Sequence, residues 1–420
     1  MKLLHLSDLH LGVETYGRID PATGLNTRLL DALSALDEAV DFALQERADV
    51  FLFCGDAYKS RDPSQTQQRE FARRISRLAS SGIHVFLLAG NHDLPASPSR
   101  AHTMEIFAVL SSSKGHTLAL ENVTVASRPG TYLLQTHSGP LQVIALPWAQ
   151  RRALLAKEEH KNLPLDQMNQ RARDIVAAWL QEEYRNLRED IPAVLSSHLH
   201  VDSAKFGSER GMMLGHDIAF LKSSLYHPYL DYVALGHIHR HQALSEAPPI
   251  VYSGSLQAID FSEEGEAKGF CLVEIDPSKP AGRRAEWSFH PVESRPFLTI
   301  EADAIPPSPT DALLRAIARY KIEDAIVRLK IKVAEDDRHL IDESALRKAL
   351  APAHFVAAIA WEVESTGRPR RGLEPGPGLT PAVALRHYLE VRGTAPERAQ
   401  TLQEYGERLI QEAIGQETMP

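Results

Sequence analysis

Five short hydrophobic runs in this chain each stop at residues of the same kind, and that recurrence limits the fold more than any other feature. Residues 2–7 end at Asp8-Leu9-His10, and Asp49 to Cys54 ends at Gly55-Asp56. Ile83 to Ala89 ends at Gly90-Asn91-His92-Asp93, residues 191–196 at Ser197-His198, and Tyr232 to Leu235 at Gly236-His237-Ile238-His239. Between the first three runs the period becomes helical. Leu29, Leu33, Leu36, Val40 and Leu44 predict an amphipathic helix over about 27–46, and Phe71, Ile75 and Leu78 predict a second. Strand, helix, strand, helix, strand is the order of an α/β domain, in which ligands gather beyond the carboxyl ends of the strands. The polar clusters are expected there, each closing a strand of one sheet.

Taken singly, each cluster is ordinary: Asp-x-His occurs by chance, and Gly-Asp is an everyday turn. Together they predict a metal site. Imidazole and carboxylate ligands suit Mn, Fe or Zn, and the lack of thiolates argues against a structural zinc. Two cations about 3.5–4 Å apart can clamp the attacking and leaving oxygens of a phosphoryl transfer. Such a pair needs a shared carboxylate and ligands on either side. Two ligand carboxylates against two divalent ions leave about two positive charges, a local anion site. Asn91 adds a carbonyl ligand without cancelling that charge. The net charge of −9 argues against coating nucleic acid through a broadly basic surface, but not against such a local site.

The remaining pattern predicts further units. A strand at 297–301, a helix at 310–320, and strand, helix and strand at 325–333, 342–350 and 355–363 read as a small α+β domain. The expected boundaries are 1–290 for the metal-site domain, 291–366 for the α+β domain, 367–380 for a Gly-, Pro- and Arg-rich linker, and 381–420 for two closing helices. Val383, Tyr388, Leu389, Leu402, Tyr405, Leu409 and Ile410 supply apolar residues to those helices. Cys54 and Cys271 sit in apolar runs and read as buried strand residues. His5, Asp8 and His10 break the first apolar run before a secretory signal can form, and no stretch reaches the length of a membrane span. The expectation is a cytoplasmic protein without membrane contact.

Asp-x-His, Gly-Asp, Gly-Asn-His-Asp and Gly-His-x-His, in this order, resemble the calcineurin-like metallophosphoesterase superfamily. Met1-Lys-Leu-Leu-His-Leu-Ser-Asp-Leu-His-Leu-Gly, Ser197-His-Leu and Tyr232-Val-Ala-Leu-Gly-His-Ile-His-Arg are similar, within it, to the family of SbcD nuclease subunits. The resemblance implies a two-sheet metallophosphoesterase sandwich with a small α+β cap and a C-terminal helical tail. It also implies a DNA nuclease, an ATP-dependent double-strand exonuclease and single-strand or hairpin endonuclease, acting in repair and recombination. Asp8, His10 and His239 would hold one metal, Asn91, His198 and His237 the other, and Asp56 would bridge them, with Mn²⁺ as the working ion. His92 would contact the scissile phosphate and assist the leaving oxygen, with Asp93 orienting its imidazole. The implied partners are DNA, a second copy of the chain, and an SbcC-like coiled-coil ATPase bound through the terminal helices. ATP would enter through that partner, because this chain has no Gly-x-x-x-x-Gly-Lys-Ser/Thr loop.

One departure bears on substrate. Phosphatases resembling calcineurin carry Asp-Arg-Gly near the second cluster, whereas this chain has Asp56-Ala57-Tyr58-Lys59-Ser60-Arg61. That weakens a protein-phosphatase reading and leaves Lys59 and Arg61 as candidate DNA-phosphate contacts. The alternative is a phosphoesterase for small nucleotides or phosphoproteins, which gives no reason for the cap and tail. His5, His84, His200 and His241 are expected to be bystanders, and His216 and His227 are loop residues without a named partner.

Overall fold

The computed structural model describes residues 1–95, 100–112, 122–155, 163–207, 217–364 and 380–416. The first half alternates: β1 (Lys2–Leu6), α1 (Thr27–Gln45), β2 (Val50–Cys54), α2 (Gln65–Ser80), β3 (His84–Leu88), α3 (Glu105–Ser112) and β4 (Val123–Ala126). Asn26 caps α1 by accepting from the Arg28 amide. Ser64 and Gln67 form a reciprocal capping box at the start of α2. Next come β5 (Gly130–Thr136), β6 (Gly139–Leu146), α4 (Arg151–Leu154), α5 (Leu165–Arg185), β7 (Ala193–His198), β8 (His200–Val201), β9 (Ala219–Phe220) and β10 (Tyr232–Gly236). The hairpins β11 (Gln242–Glu246) with β12 (Pro249–Tyr252), and β13 (Gly269–Ile275) with β14 (Ala285–Pro291), complete this region.

These strands build two six-stranded sheets, ordered β14-β13-β1-β2-β3-β4 and β11-β12-β10-β7-β6-β5. The expectation of one sheet is therefore corrected: β1, β2 and β3 lie in the first, but β7 and β10 lie in the second. The physical reason is that all five strands are buried on both faces, so their side chains carry no alternation that could distinguish one sheet from two. Leu3, Leu52, Phe86, Val143, Val194, Ala234 and Val251 fill the layer between the sheets. Leu4, Phe51 and Phe53 face α1 and α2 on one outer side, while Leu195, Val233 and Leu235 face α5 on the other. Each such side chain taken from water contributes about 1.5–3 kcal/mol.

Polar groups in the middle layer are paired. His5 is fully buried, and its ring nitrogens lie 3.0 Å from the Tyr232 hydroxyl and 3.2 Å from the Leu235 carbonyl, so it ties the first sheet to the second. Burial pushes it down to about 3, and it serves as a neutral cross-link. Cys54 and Cys271 are free and buried, and burial raises both thiols, which disfavours the thiolate.

A three-stranded parallel sheet follows, from β15 (Phe297–Asp303), β16 (Ile326–Ala334) and β17 (Phe355–Glu364), with α6 (Pro309–Ile317) and α7 (Glu343–Ala349) as crossovers. It has its own core of Ile300, Leu313, Leu329, Ile331 and Leu346. Tyr16, in the loop after β1, packs edge-on against Phe261 and Phe297 and tilted against Phe355. Arg295 donates two hydrogen bonds of 2.7 Å to Asp31 on α1.

The expected linker over 367–380 lies, except for Thr380, outside the described residues. Beyond it, α8 (Pro381–Val391) and α9 (Pro396–Gln416) pack against each other. Leu389 is buried in that pair, whereas Tyr388, Tyr405 and Leu409 are more than half exposed. Among the described residues, no helix is long and apolar enough to cross a membrane.

Candidate metal centre

The five clusters converge although they come from two sheets. β1, β2 and β3 run parallel, as do β7 and β10, so their carboxyl ends fall at the same edges of their sheets. The loop after β1 is stitched to the loop after β2 by amides of Asp8, His10 and Leu11 donating to the carbonyls of Gly55, Asp56 and Ala57 at 3.0–3.1 Å. The Asp8 carboxylate crosses to the second sheet, accepting from the His237 amide at 2.9 and 3.2 Å.

Glycines make the approach possible. A Cβ on Gly90 would collide with the Asp56 carboxylate, and one on Gly236 with the Cys54 carbonyl. Asp8, His10, Asp56 and His237 all have positive φ, at 54°, 47°, 59° and 96°. Non-glycine residues held there cost on the order of 1–3 kcal/mol each and persist where the surroundings over-determine them. Here the hydrogen bonds just described do so.

Asp8, His10, Asp56, His198, His237 and His239 are all at most 6% exposed. Ligand atoms of Asp8, His10 and His239 lie within 4.8 Å of one another, as do those of Asp8, Asp56 and His198 and those of His10, Asp56 and His92. Asp56 is central, with Oδ2 3.7 Å from His10 Nε2 and 3.4 Å from His198 Nε2. Asn91 Oδ1 lies 3.0 Å from His198 Nε2 and 3.2 Å from His237 Nδ1.

The hydrogen-bond partners decide which nitrogens face inward. His198 Nδ1 donates to the Cys54 carbonyl at 2.7 Å, which turns Nε2 toward Asn91 and Asp56. His239 Nδ1 donates to Glu263 at 2.9 Å, which turns its Nε2 to within 3.0 Å of His10 Nε2. His237 Nε2 lies 3.3 Å from Asp217, and Trp148 packs against its ring at 4.8 Å. Amide oxygen, imidazole lone pairs and carboxylates thus face one another with too few protons between them, an arrangement a cation resolves.

Electrostatics agree. Burial disfavours charge on Asp56, yet His198, by charge and hydrogen bond, and then His10 hold its carboxyl well below the usual range. Burial works against a charged His198 too, but Asp56 outweighs it and lifts the imidazole to about 9. Asp93 is pushed up to about 6, by burial and then by the Asp56 charge. His10 falls to about 3, chiefly through burial. The pocket therefore demands positive charge beside Asp56.

Of the two predicted catalytic residues, one looks different in three dimensions. His92 is half-buried at the rim; its Nδ1 donates to the Lys59 carbonyl at 2.6 Å, and its amide donates to Asp56 Oδ1 at 2.9 Å. Asp93 does not orient that ring, which corrects the expectation. Its oxygens instead accept from the amides of Asp56, Ala57 and Gly90 and from the Thr103 hydroxyl. With four donors upon it, the carboxylate is turned into the loop and away from the neighbouring imidazole. Lys59 and Arg61 are exposed, and Arg61 lines a hollow with Gln68 and His102 between α2 and α3.

Among the other histidines, His84 Nε2 lies 2.9 Å from the Thr124 hydroxyl, His241 Nδ1 2.9 Å from the Tyr252 carbonyl, and His227 stacks on Tyr184. His200 packs against Phe206, and His216 lies outside the described residues. Sequence reasoning missed Glu263 and Asp217, and the Lys59 carbonyl. Nothing in their local sequence marks them, because each acts through a contact between distant segments.

Residues 1–241 match the calcineurin-like phosphoesterase family. The chain belongs to that family. A calcineurin-like phosphoesterase domain implies divalent metal ions, and the converging carboxylates and imidazoles are donors of the right kind for them. The chain is also similar to curated relatives named as the SbcD component of the nuclease SbcCD. It is 27% identical to that of Escherichia coli (strain K12) over 288 residues, 66% of each chain. The Bacillus subtilis (strain 168) relative is 27% identical over 294 residues, 68% of each chain, and the Rhodobacter capsulatus one 27% over 343 residues, 77% of each. The match thus spans just under two thirds of the Escherichia coli relative. The fold of this calcineurin-like phosphoesterase is the two-sheet sandwich described above, with the clusters at one end of it.

Proposed function

We propose that this chain is a two-metal DNA nuclease. The observation that carries the reading is the convergence of Asp8, His10, Asp56, Asn91, His198, His237 and His239, with His92 held at the rim. In this reading Asp8, His10 and His239 hold one ion, Asn91, His198 and His237 the other, and Asp56 is shared. Two divalent ions, Mn²⁺ as the working metal, would supply Lewis-acid stabilisation of the attacking and leaving oxygens of a phosphodiester. The chain's own part is then positional. The Lys59 carbonyl keeps the proton on His92 Nδ1, so Nε2 is the atom that exchanges a proton with the leaving oxygen. The exposed Lys59 and Arg61 side chains bind DNA phosphates beside it.

We read residues 1–290 as the nuclease domain, 291–366 as a cap and 381–420 as the partner-binding segment. The relatives' names, which make them one component of a nuclease complex, support a nuclease that works with a partner. We read that partner as an SbcC-like coiled-coil ATPase, and the activity as ATP-dependent double-strand exonuclease and single-strand or hairpin endonuclease in cytoplasmic DNA repair and recombination, as the resemblance in the sequence motifs implies. Exposed Ile106 and Leu110 on α3 support a homodimer. The test incubates purified protein and Mn²⁺ with duplex DNA, hairpin DNA and a small phosphodiester, and sizes the same preparation by light scattering. DNA cleavage that a chelator stops is the expected result. Preference for the small ester would point to a nucleotide phosphoesterase, and a monomer would remove the dimer.

The tail gives a separate expectation. Val383, Tyr388, Leu402, Tyr405 and Leu409 leave an apolar surface on the α8–α9 pair, as suits docking on another protein's helices. Truncation after Glu374 should leave a folded, metal-dependent nuclease that no longer co-purifies with the ATPase or responds to ATP. A truncated chain that still forms an ATP-responsive complex would place the partner surface elsewhere.

A further inference from the structure

Behind His239 lies a buried charge cluster that the ligand set does not include. One oxygen of the Glu263 carboxylate accepts from His239 Nδ1 at 2.9 Å. The other lies 2.7 Å from the Lys268 ammonium and accepts from the Ile259 amide at 3.2 Å. Both charged side chains are fully buried. Lys268 also donates to the main-chain carbonyl of His239 at 3.1 Å and to Glu266 at 3.2 Å. One partner thus holds the ring of His239 while the other holds its backbone.

The turn that carries Glu263 is fixed from several sides. Asp260 accepts from the Ser262 amide at 2.8 Å. Phe261 packs between Tyr16 and Phe297, with the Arg328 guanidinium over its ring. Glu264 accepts from the amide and hydroxyl of Thr299 on β15, at 2.7 and 2.5 Å. Such support places the carboxylate narrowly. Stability alone is a weak reason for the arrangement, because well-packed apolar residues commonly match or exceed a buried ion pair. An orienting role explains it better. A carboxylate can only accept from the ring, so the proton is on Nδ1 and the Nε2 lone pair points to His10 and Asp8. A histidine that gives its second N–H to a carboxylate is a fixed and more basic metal ligand.

We propose that Glu263 is a positioning residue of the metal centre, locking His239 in the Nδ1–H tautomer with Nε2 aimed at the site, while Lys268 anchors the carboxylate. This rests on the two-metal reading above. Full-length protein stripped of metal is titrated with Mn²⁺ by calorimetry, and the metal-free fold is followed by circular dichroism. The wild-type chain is expected to take two ions. E263Q, which keeps the shape and removes the charge, is expected to bind one ion about 10–100-fold more weakly and the other near normally. A residue serving only the fold would shift the melting temperature without singling out one ion. If Lys268, left uncompensated, unfolds E263Q, the double variant E263Q/K268M removes both charges and gives the same reading. Two ions bound as tightly as in the wild type, or both weakened equally, overturn the proposal. A wild-type chain that takes up no Mn²⁺ would overturn the metal reading instead.

Discussion

Asp56→Ala is expected to lower turnover by about 10⁴-fold or more, the consequence of withdrawing a few kcal/mol of stabilisation at each of two ions. Its carboxylate is the one placed between the two ligand groups, within 4 Å of His10 and His198. The metal-free variant should remain folded. Asp56 and Asp93 are buried together, and the charge of Asp56 helps push Asp93 up to about 6, so its removal relieves a like-charge contact. His198, lifted to about 9 by Asp56 against its burial, loses the largest influence that favours its charge. One backbone acceptor is lost, that of the His92 amide. Metal content by mass spectrometry is the deciding measurement. Retention of two ions at wild-type occupancy would remove Asp56 from the bridging role.

His92→Gln is expected to cut the rate by roughly 10²–10⁴-fold, the usual contribution of a positioned acid or base. Gln can still form a hydrogen bond at the rim but cannot exchange a proton at neutral pH, so the variant isolates the proton transfer. Metal binding should stay near normal, because the His92 ring is held by the Lys59 carbonyl and is the most exposed histidine of the cluster. Its Nε2 nevertheless sits 4.0 Å from Asp56 and close to His10, within reach of a ligand position. The outcome is therefore informative in both directions. Loss of an ion on substitution would make His92 a ligand and end its assignment as the acid.

The positions of the main elements were legible because hydrophobic period is a local signal. The helix expected over 27–46 runs Thr27–Gln45, and the strand expected at 355–363 runs Phe355–Glu364. β5 was harder to see: its burial alternates, but the inward positions hold Gly130 and Thr136 beside Tyr132 and Leu134, and an exposed one holds Leu133, so residue type does not follow the faces. Leu389 was named with the other apolar residues of the tail, yet it is buried where Tyr388 beside it is exposed; helical period shows which residues share a face, not what covers that face.

What the sequence determined by itself was which polar side chains close the strands. Asp8, His10, Asp56, Asn91, His92, His198, His237 and His239 each follow an apolar run directly, so their placement at strand ends depends on neighbours a few residues away. Only the tertiary structure decided how two sheets share one site, because β7 and β10 pair with each other and not with β1 or β2. It also decided how each imidazole is turned. The partners of His92, His198 and His239 are the Lys59 carbonyl, the Cys54 carbonyl and Glu263. A main-chain carbonyl is the same for every residue type, and Glu263 reaches His239 only through the fold of the intervening chain, so neither leaves a mark that a sequence could display.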